Sequence, residues 1–202
     1  VVEELDSDTR EVIAFLRGAV TSSGLSQAAF ARALGTSPAR LSTYLSGQTR
    51  PSAHFVFRAR RIGEALGAAA GRGLMSAPAT AAAMRTQQRG GEADWTWRML
   101  LQGRDDLAVI LRDEDAGLAA AWEAEPASIG AAGWDALLAA LVTHEFEQAG
   151  RPAPIWATTV AALPEPWMPE HPFLDPDRVR AQTPDWLSAR NIFVPARDLV
   201  TA

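Results

Sequence analysis

The stretch QAAFARALGTSPARLSTYLSGQTRP, residues 27–51, constrains the fold more than any other part of the chain. Phe30, Ala31 and Leu34 fall on one face of a short helix, which Ser26 caps and Gly35 ends by supplying a left-handed exit. Thr36 and Ser37 then lead into Pro38, whose fixed φ and missing N–H suit the first position of a new helix capped by Ser37. That helix runs to about Ser46, and Gly47 closes it. Leu41 and Tyr44 point toward the face of the preceding helix, and Ala31 is small where two helices on so tight a turn must approach. The opposite face of the second helix is left free.

The flanks continue the pattern. Asp6, Ser7 and Asp8 offer N-cap oxygens to a helix whose apolar positions are Val12, Ile13, Phe15, Leu16, Ala19 and Val20. After GQTRP, Ser52 caps a fourth helix with Phe55, Val56, Ala59, Ile62 and Leu66 as its stripe. Four or five short helices therefore fill residues 6–70. This segment resembles the lambda-repressor-like, or Xre-type, helix-turn-helix over residues 9 to about 68, and a DNA-binding domain over 1–71 is expected.

The resemblance implies that the helix from Pro38 lies in the major groove while the start of the helix before it faces phosphate. It places Gln27 at the phosphate-binding glutamine, although Gln27 also reads simply as a helix-start residue. Ser37 is a cap that also reaches phosphate. Ala39, Arg40, Ser42 and Thr43 take the exposed positions of the recognition helix. Arg40 is the best base reader, because its fork matches the O6 and N7 acceptors of guanine; a phosphate clamp is its other reading. Ala39 suits a thymine methyl. Ser46, Gln48, Thr49 and Arg50 follow where the backbone returns, Arg50 as a phosphate contact, and Arg58, Arg60 and Arg61 either extend the footprint or form a solvated face. Pro38 replaces a Gln or Arg common at that exposed position, so modest specificity per half-site and a homodimer on a repeated double-stranded operator are expected.

Charge agrees with this division. The net −5 of the 202 residues hides +7 over residues 12–72 and −10 over residues 92–202. All 19 basic residues are Arg, which reads as codon bias rather than selection for recognition. The chain has no cysteine, which excludes disulfides and thiolate-held zinc or iron–sulfur sites. No basic stretch followed by an apolar run opens it, and no window has the roughly 18 apolar residues of a membrane span, so a cytoplasmic protein is expected.

Residues 72–92 mix Gly, Pro, Ala and polar residues and read as a linker, with room for a helical turn around Ala81 to Gln88. Residues 93–202 read as an acidic helical module holding all seven Trp. In it Trp134, Leu137, Leu138, Leu141, Val142 and Phe146 trace one helical face. Seven of the 13 prolines lie within 151–176, so that stretch runs extended, and NIFV is the one candidate strand. The fold class is all-α throughout. Trp156, Trp167, Met168 and Phe173 are residues typical of interfaces and mark a candidate partner surface, unless they pack over the module's own helices. EPWMPEHPFL followed by TPDWLSARNIFVPARDLV resembles the C-terminal part of Xre-type antitoxins, over about 130–202.

Catalytic signals are poor. His144 with Glu145 and Glu147 lacks the second histidine of a zinc helix, since position 148 is Gln, and reads as a histidine on a surface edge. His54 and His171 have no partners in sequence. Asp105 with Asp106 and Asp113 with Asp115 read as solvated acidic pairs, and phosphate loops and nucleophile motifs are missing. No enzyme, cofactor or metal is expected. The sequence points to a dimeric, sequence-specific repressor whose C-terminal module binds a protein, a cognate toxin by the resemblance. The alternatives are a repressor whose Trp-rich module senses a small ligand and an enzyme with an appended DNA-binding domain.

Overall fold

The computed structural model describes residues 6–169 and 175–199. Its helices in chain order are α1 (Ser7–Ser23), α2 (Gln27–Ala33), α3 (Pro38–Leu45), α4 (Ala53–Gly71), α5 (Ala77–Arg89) and α6 (Ala93–Arg112). Then come α7 (Ala116–Ala119), α8 (Ala132–Gln148), α9 (Ile155–Thr158), α10 (Pro176–Gln182) and α11 (Asp185–Ser188), with a 3₁₀ turn at Ala196–Leu199. Among the described residues there is no strand; the expected NIFV strand is reduced to one isolated bridge between Ile192 and Trp167. No helix among them is long and apolar enough to cross a membrane.

The chain divides into two compact units. The first comprises the described residues up to Pro78 together with Asp115–Ala127, and the second the rest.

In the first unit, local cap chemistry sets each helix start. Asp6, Ser26, Ser37 and Ser52 cap α1, α2, α3 and α4, each side chain accepting from a backbone N–H three residues on. Helix α1 lies against α4, and two glycines allow it: a Cβ on Gly63 would stand 2.5 Å from the Ala19 carbonyl oxygen, and one on Gly67 would collide with that of Ser22. Ile13, Leu16, Phe30, Leu41, Leu45, Ile62 and Leu66 supply large side chains of the core. Tyr44, expected in that core, is half-buried with its ring 5.0 Å from Phe55, and Leu45 takes the buried place.

The segment from Asp115 to Ala127 belongs to this unit, although the sequence reads it as part of the acidic module. Asp115 caps α7, which packs on α4, and its carboxylate meets Arg72 at 3.2 Å. Leu118, Ala119, Ala120, Ala121 and Ala124 are buried, and Trp122 is fully buried. Glu123 pairs with Arg61, and the Glu125 N–H donates to the Ala33 carbonyl at 3.0 Å. One of the seven Trp residues thus lies with the N-terminal helices. Residues distant in sequence meet here, so periodicity alone gives no sign of it.

In the second unit, α8 is apolar all round rather than on one face: Ala136, Ala139, Ala140 and Thr143 are buried along with the six residues expected there. The Thr143 hydroxyl donates to the Ala139 carbonyl at 2.8 Å, which satisfies it inside the core. The segment expected as a linker holds the 13-residue α5, with Thr80, Ala81 and Met84 buried. Its seams are made by small residues: Thr80 packs so closely on Gly103 of α6 that no Cβ fits there. The acidic residues of α6 are not simply solvated. Arg104 reaches Glu145 at 2.7 Å and Asp105 at 3.3 Å, and Asp106 is buried, accepting from the Gln102 amide at 2.9 Å. His144 is half-buried and stacked flat on Trp186, 4.2 Å between ring centroids, instead of on a free edge.

Candidate nucleic-acid interface

The free face of α3 is built by what lies behind it. Phe30, Ala31 and Leu41 have no exposed surface, and with Leu34 and Leu45 they fix α2 against α3 through their buried sides. The turn between them is closed by two backbone bonds, Gly35 N–H to the Arg32 carbonyl at 2.7 Å and Thr36 N–H to that of Ala31 at 3.0 Å. Gly35 takes φ +68, a left-handed conformation that glycine adopts without strain. The Ser37 hydroxyl oxygen accepts from the Arg40 N–H at 3.1 Å, and Pro38 occupies the first turn. At the far end of α3, Arg17 donates to the Leu45 carbonyl at 3.3 Å, adding positive charge at the helix C-terminus.

Most of the residues expected at the interface come to one continuous region. Gln27 is exposed at the first position of α2, and Ser37, Ala39, Arg40, Ser42 and Ser46 are exposed along α3 and its two caps. Thr43 is half-buried, and its hydroxyl donates to the Arg40 carbonyl at 2.8 Å, so toward a ligand it is an acceptor. Ser46 likewise donates to the Thr43 carbonyl at 3.2 Å.

Arg50 is held differently from the expectation of a free phosphate contact. Its guanidinium meets Asp6 at 2.7 Å, the arginine 78% and the aspartate 50% exposed. The backbone N–H and hydroxyl of Thr9 hold the Asp6 carboxyl below its usual range, and the Arg50 charge adds to this. So exposed a pair is weak and screened, and phosphate can compete for Arg50. Arg60 pairs with Glu64 at 2.8 Å and Arg61 with Glu123, so both have carboxylate partners within the unit.

Sequence reasoning missed Glu125. It lines a cleft with Arg32, Gly35, Thr36, Ser37 and Arg40, beside the start of α3. Its Oε2 would be 3.6 Å from a Cβ built on Gly35.

Residues 13–72 match the helix-turn-helix domain family. The chain carries a helix-turn-helix domain, a DNA-binding module. No curated protein and no solved structure matches the chain. The helix-turn-helix match covers α2 and α3 entirely, and it ends before Asp115–Ala127, so Trp122 and Glu125 are additions from outside the matched segment.

Of the four residues expected at a partner surface, Trp167 is committed to the second unit's own packing. Its ring covers Gly133 so closely that a Cβ there would clash, and it meets Trp134 edge-on at 5.4 Å, while Trp134 also meets Trp97 at 6.0 Å. Backbone bonds of 2.8 Å tie it to Asn191 and Phe193. Trp156 and Met168 are half-buried, and the neighbour Ile155, which the sequence reading passed over, is 72% exposed. Phe173 lies outside the described residues, as does His171.

Proposed function

We propose that the protein is a sequence-specific transcriptional repressor that reads its operator with α3. The observation that carries this reading is the exposed row Ala39, Arg40 and Ser42, which begins at a capped helix start and is backed by a fully buried Phe30 and Leu41. A recognition helix needs that combination: side chains free to reach base edges on a backbone that cannot shift. Arg40 reads guanine, Gln27 and Ser37 position the domain on phosphate, and Arg50 joins them by exchanging Asp6 for a phosphate oxygen. Few base-reading side chains per domain favour binding as a homodimer to a repeated site, with half-sites about 34 Å apart.

The second unit is the partner-binding part of this reading, and its occupant is a toxin that the protein neutralises as an antitoxin. Support comes from the antitoxin-like sequence over about 130–202 and from the net charge of residues 128–202, five Arg against nine Asp and Glu, which suits a basic partner. Selection from a random duplex pool by the full chain tests the first part. Enrichment of a repeated motif at one-turn spacing is the expected result, and recovery of unenriched DNA would contradict it. Co-purification with the product of an adjacent gene, and rescue of cells from that product, tests the second.

A further inference from the structure

The helix-turn-helix segment is strongly basic, at +7 over residues 12–72, yet the unit that contains it is not. Its described residues, 6–78 and 115–127, hold nine Arg and seven Asp or Glu, a formal charge of only +2. Three of those acids arrive with the segment from Asp115 to Ala127, and each faces the basic segment. Asp115 pairs with Arg72, Glu123 pairs with Arg61, and Glu125 stands in the cleft with Arg32 and Arg40.

Glu125 differs from the other two in where it is held. Its backbone N–H is fixed to the Ala33 carbonyl, the last residue of α2, and Trp122 three residues earlier is locked in the unit's core. Its side chain thereby lies at the turn between α2 and α3, in the cleft that Arg32, Gly35, Thr36, Ser37 and Arg40 also line, beside the start of α3.

We propose that Glu125 sets the affinity of the domain for DNA by lowering the positive potential of the cleft that Arg32 and Arg40 line at the start of the recognition helix. This rests on the reading of α3 as the DNA-recognition helix. A carboxylate in this cleft lowers the local potential, repels an approaching phosphate, and does so whatever the base sequence. Base contacts from Arg40 must then hold the complex together with less help from charge.

The test is Glu125→Gln in the full chain, which keeps the side chain's length and the backbone bond but removes the charge. Binding is read by fluorescence anisotropy on a mixed-sequence duplex and on the motif selected by the wild type, across a salt series. The expected result is tighter binding to both duplexes by a similar factor, about threefold to tenfold near 0.1 M salt, shrinking as salt rises. Glu11→Gln, the same charge change on exposed α1, is expected to gain less. Unchanged affinity in Glu125→Gln would overturn the proposal, as would an equal gain in Glu11→Gln, which would make the effect one of total charge. A loss confined to the selected motif would also overturn it and make Glu125 a base reader. If neither wild type nor variant binds any duplex, the reading of α3 fails as well, whereas binding without a gain removes only the role of Glu125.

Discussion

Arg40 and Gln27 are both exposed, within one α2–α3 arrangement, but their geometry assigns them different work. Arg40 sits on the face of α3 with its backbone N–H held by Ser37, leaving the guanidinium to reach base edges. Arg40→Ala is expected to cost about 1–3 kcal/mol on the selected motif and much less on random duplex, measured as the ratio of the two dissociation constants. Gln27→Ala should instead weaken both by a similar factor, and a motif-specific loss there would exchange the two roles. Asp115 gives a pH dependence with a definite sign. The Leu118 N–H, and after it the Arg72 charge, hold its carboxyl below the ordinary 3.8, so its contribution is present above that value and fades as pH falls through it. Asp115→Ala should therefore lower the urea midpoint of the first unit at neutral pH, and that difference should shrink as pH falls below 3.8. A constant difference across that range would contradict it. The caps Ser26, Ser37 and Ser52 were legible in the sequence because their oxygens act three residues away, whereas Asp115 was read only as one of a solvated acidic pair. Glu125 and Trp122 were not legible: the carbonyl that holds the Glu125 N–H, on Ala33, lies about ninety residues earlier in the chain, and the burial of Trp122 depends on a unit built largely from the N-terminal helices.

The helices show the same division between local and distant causes. α1 to α4 follow directly from apolar spacing, Ser and Asp caps, and glycines at the ends of α1, α2 and α3. Helix α5 was legible only as a turn around Ala81 to Gln88: its buried side chains are Ala77, Thr80, Ala81 and Met84, which make no strong stripe, and Thr80 is useful only because Gly103 on α6 lets it approach. α8 was found, but its apolar face was taken as one side, because Ala136, Ala139 and Ala140 look neutral in a sequence and become core only when surrounded. Close approach also governs α1 and α4. Gly63→Ala would press a methyl group onto the Ala19 carbonyl and is expected to destabilise the domain by about 1–3 kcal/mol, where alanine in an open helix would stabilise it. Gly18→Ala, on α1 with open space around its Cβ position, is the matching control and should be neutral or stabilising in thermal denaturation. Equal effects of the two would remove the packing argument.

The charge asymmetry of the chain suggested a basic module followed by an acidic one, and the division proves different. The DNA-binding unit borrows residues 115–127 from the acidic half, the chain passes between its two units three times, and the negative net charge resides in the second. Trp122 is the anchor of that borrowed segment. Trp122→Ala is expected to destabilise the first unit by about 3–5 kcal/mol, read as faster amide exchange in α4, against which α7 packs. Protection of α4 equal to that of the wild type would mean that the helix-turn-helix domain stands without the segment. The claim on which the rest depends is that DNA is read through α2 and α3, and amide exchange of the full chain with and without its selected duplex addresses it most directly. Added protection over residues 27–43, with lesser change near Arg50, is what the account expects. Protection that leaves α3 as it was and falls instead on the second unit would contradict it.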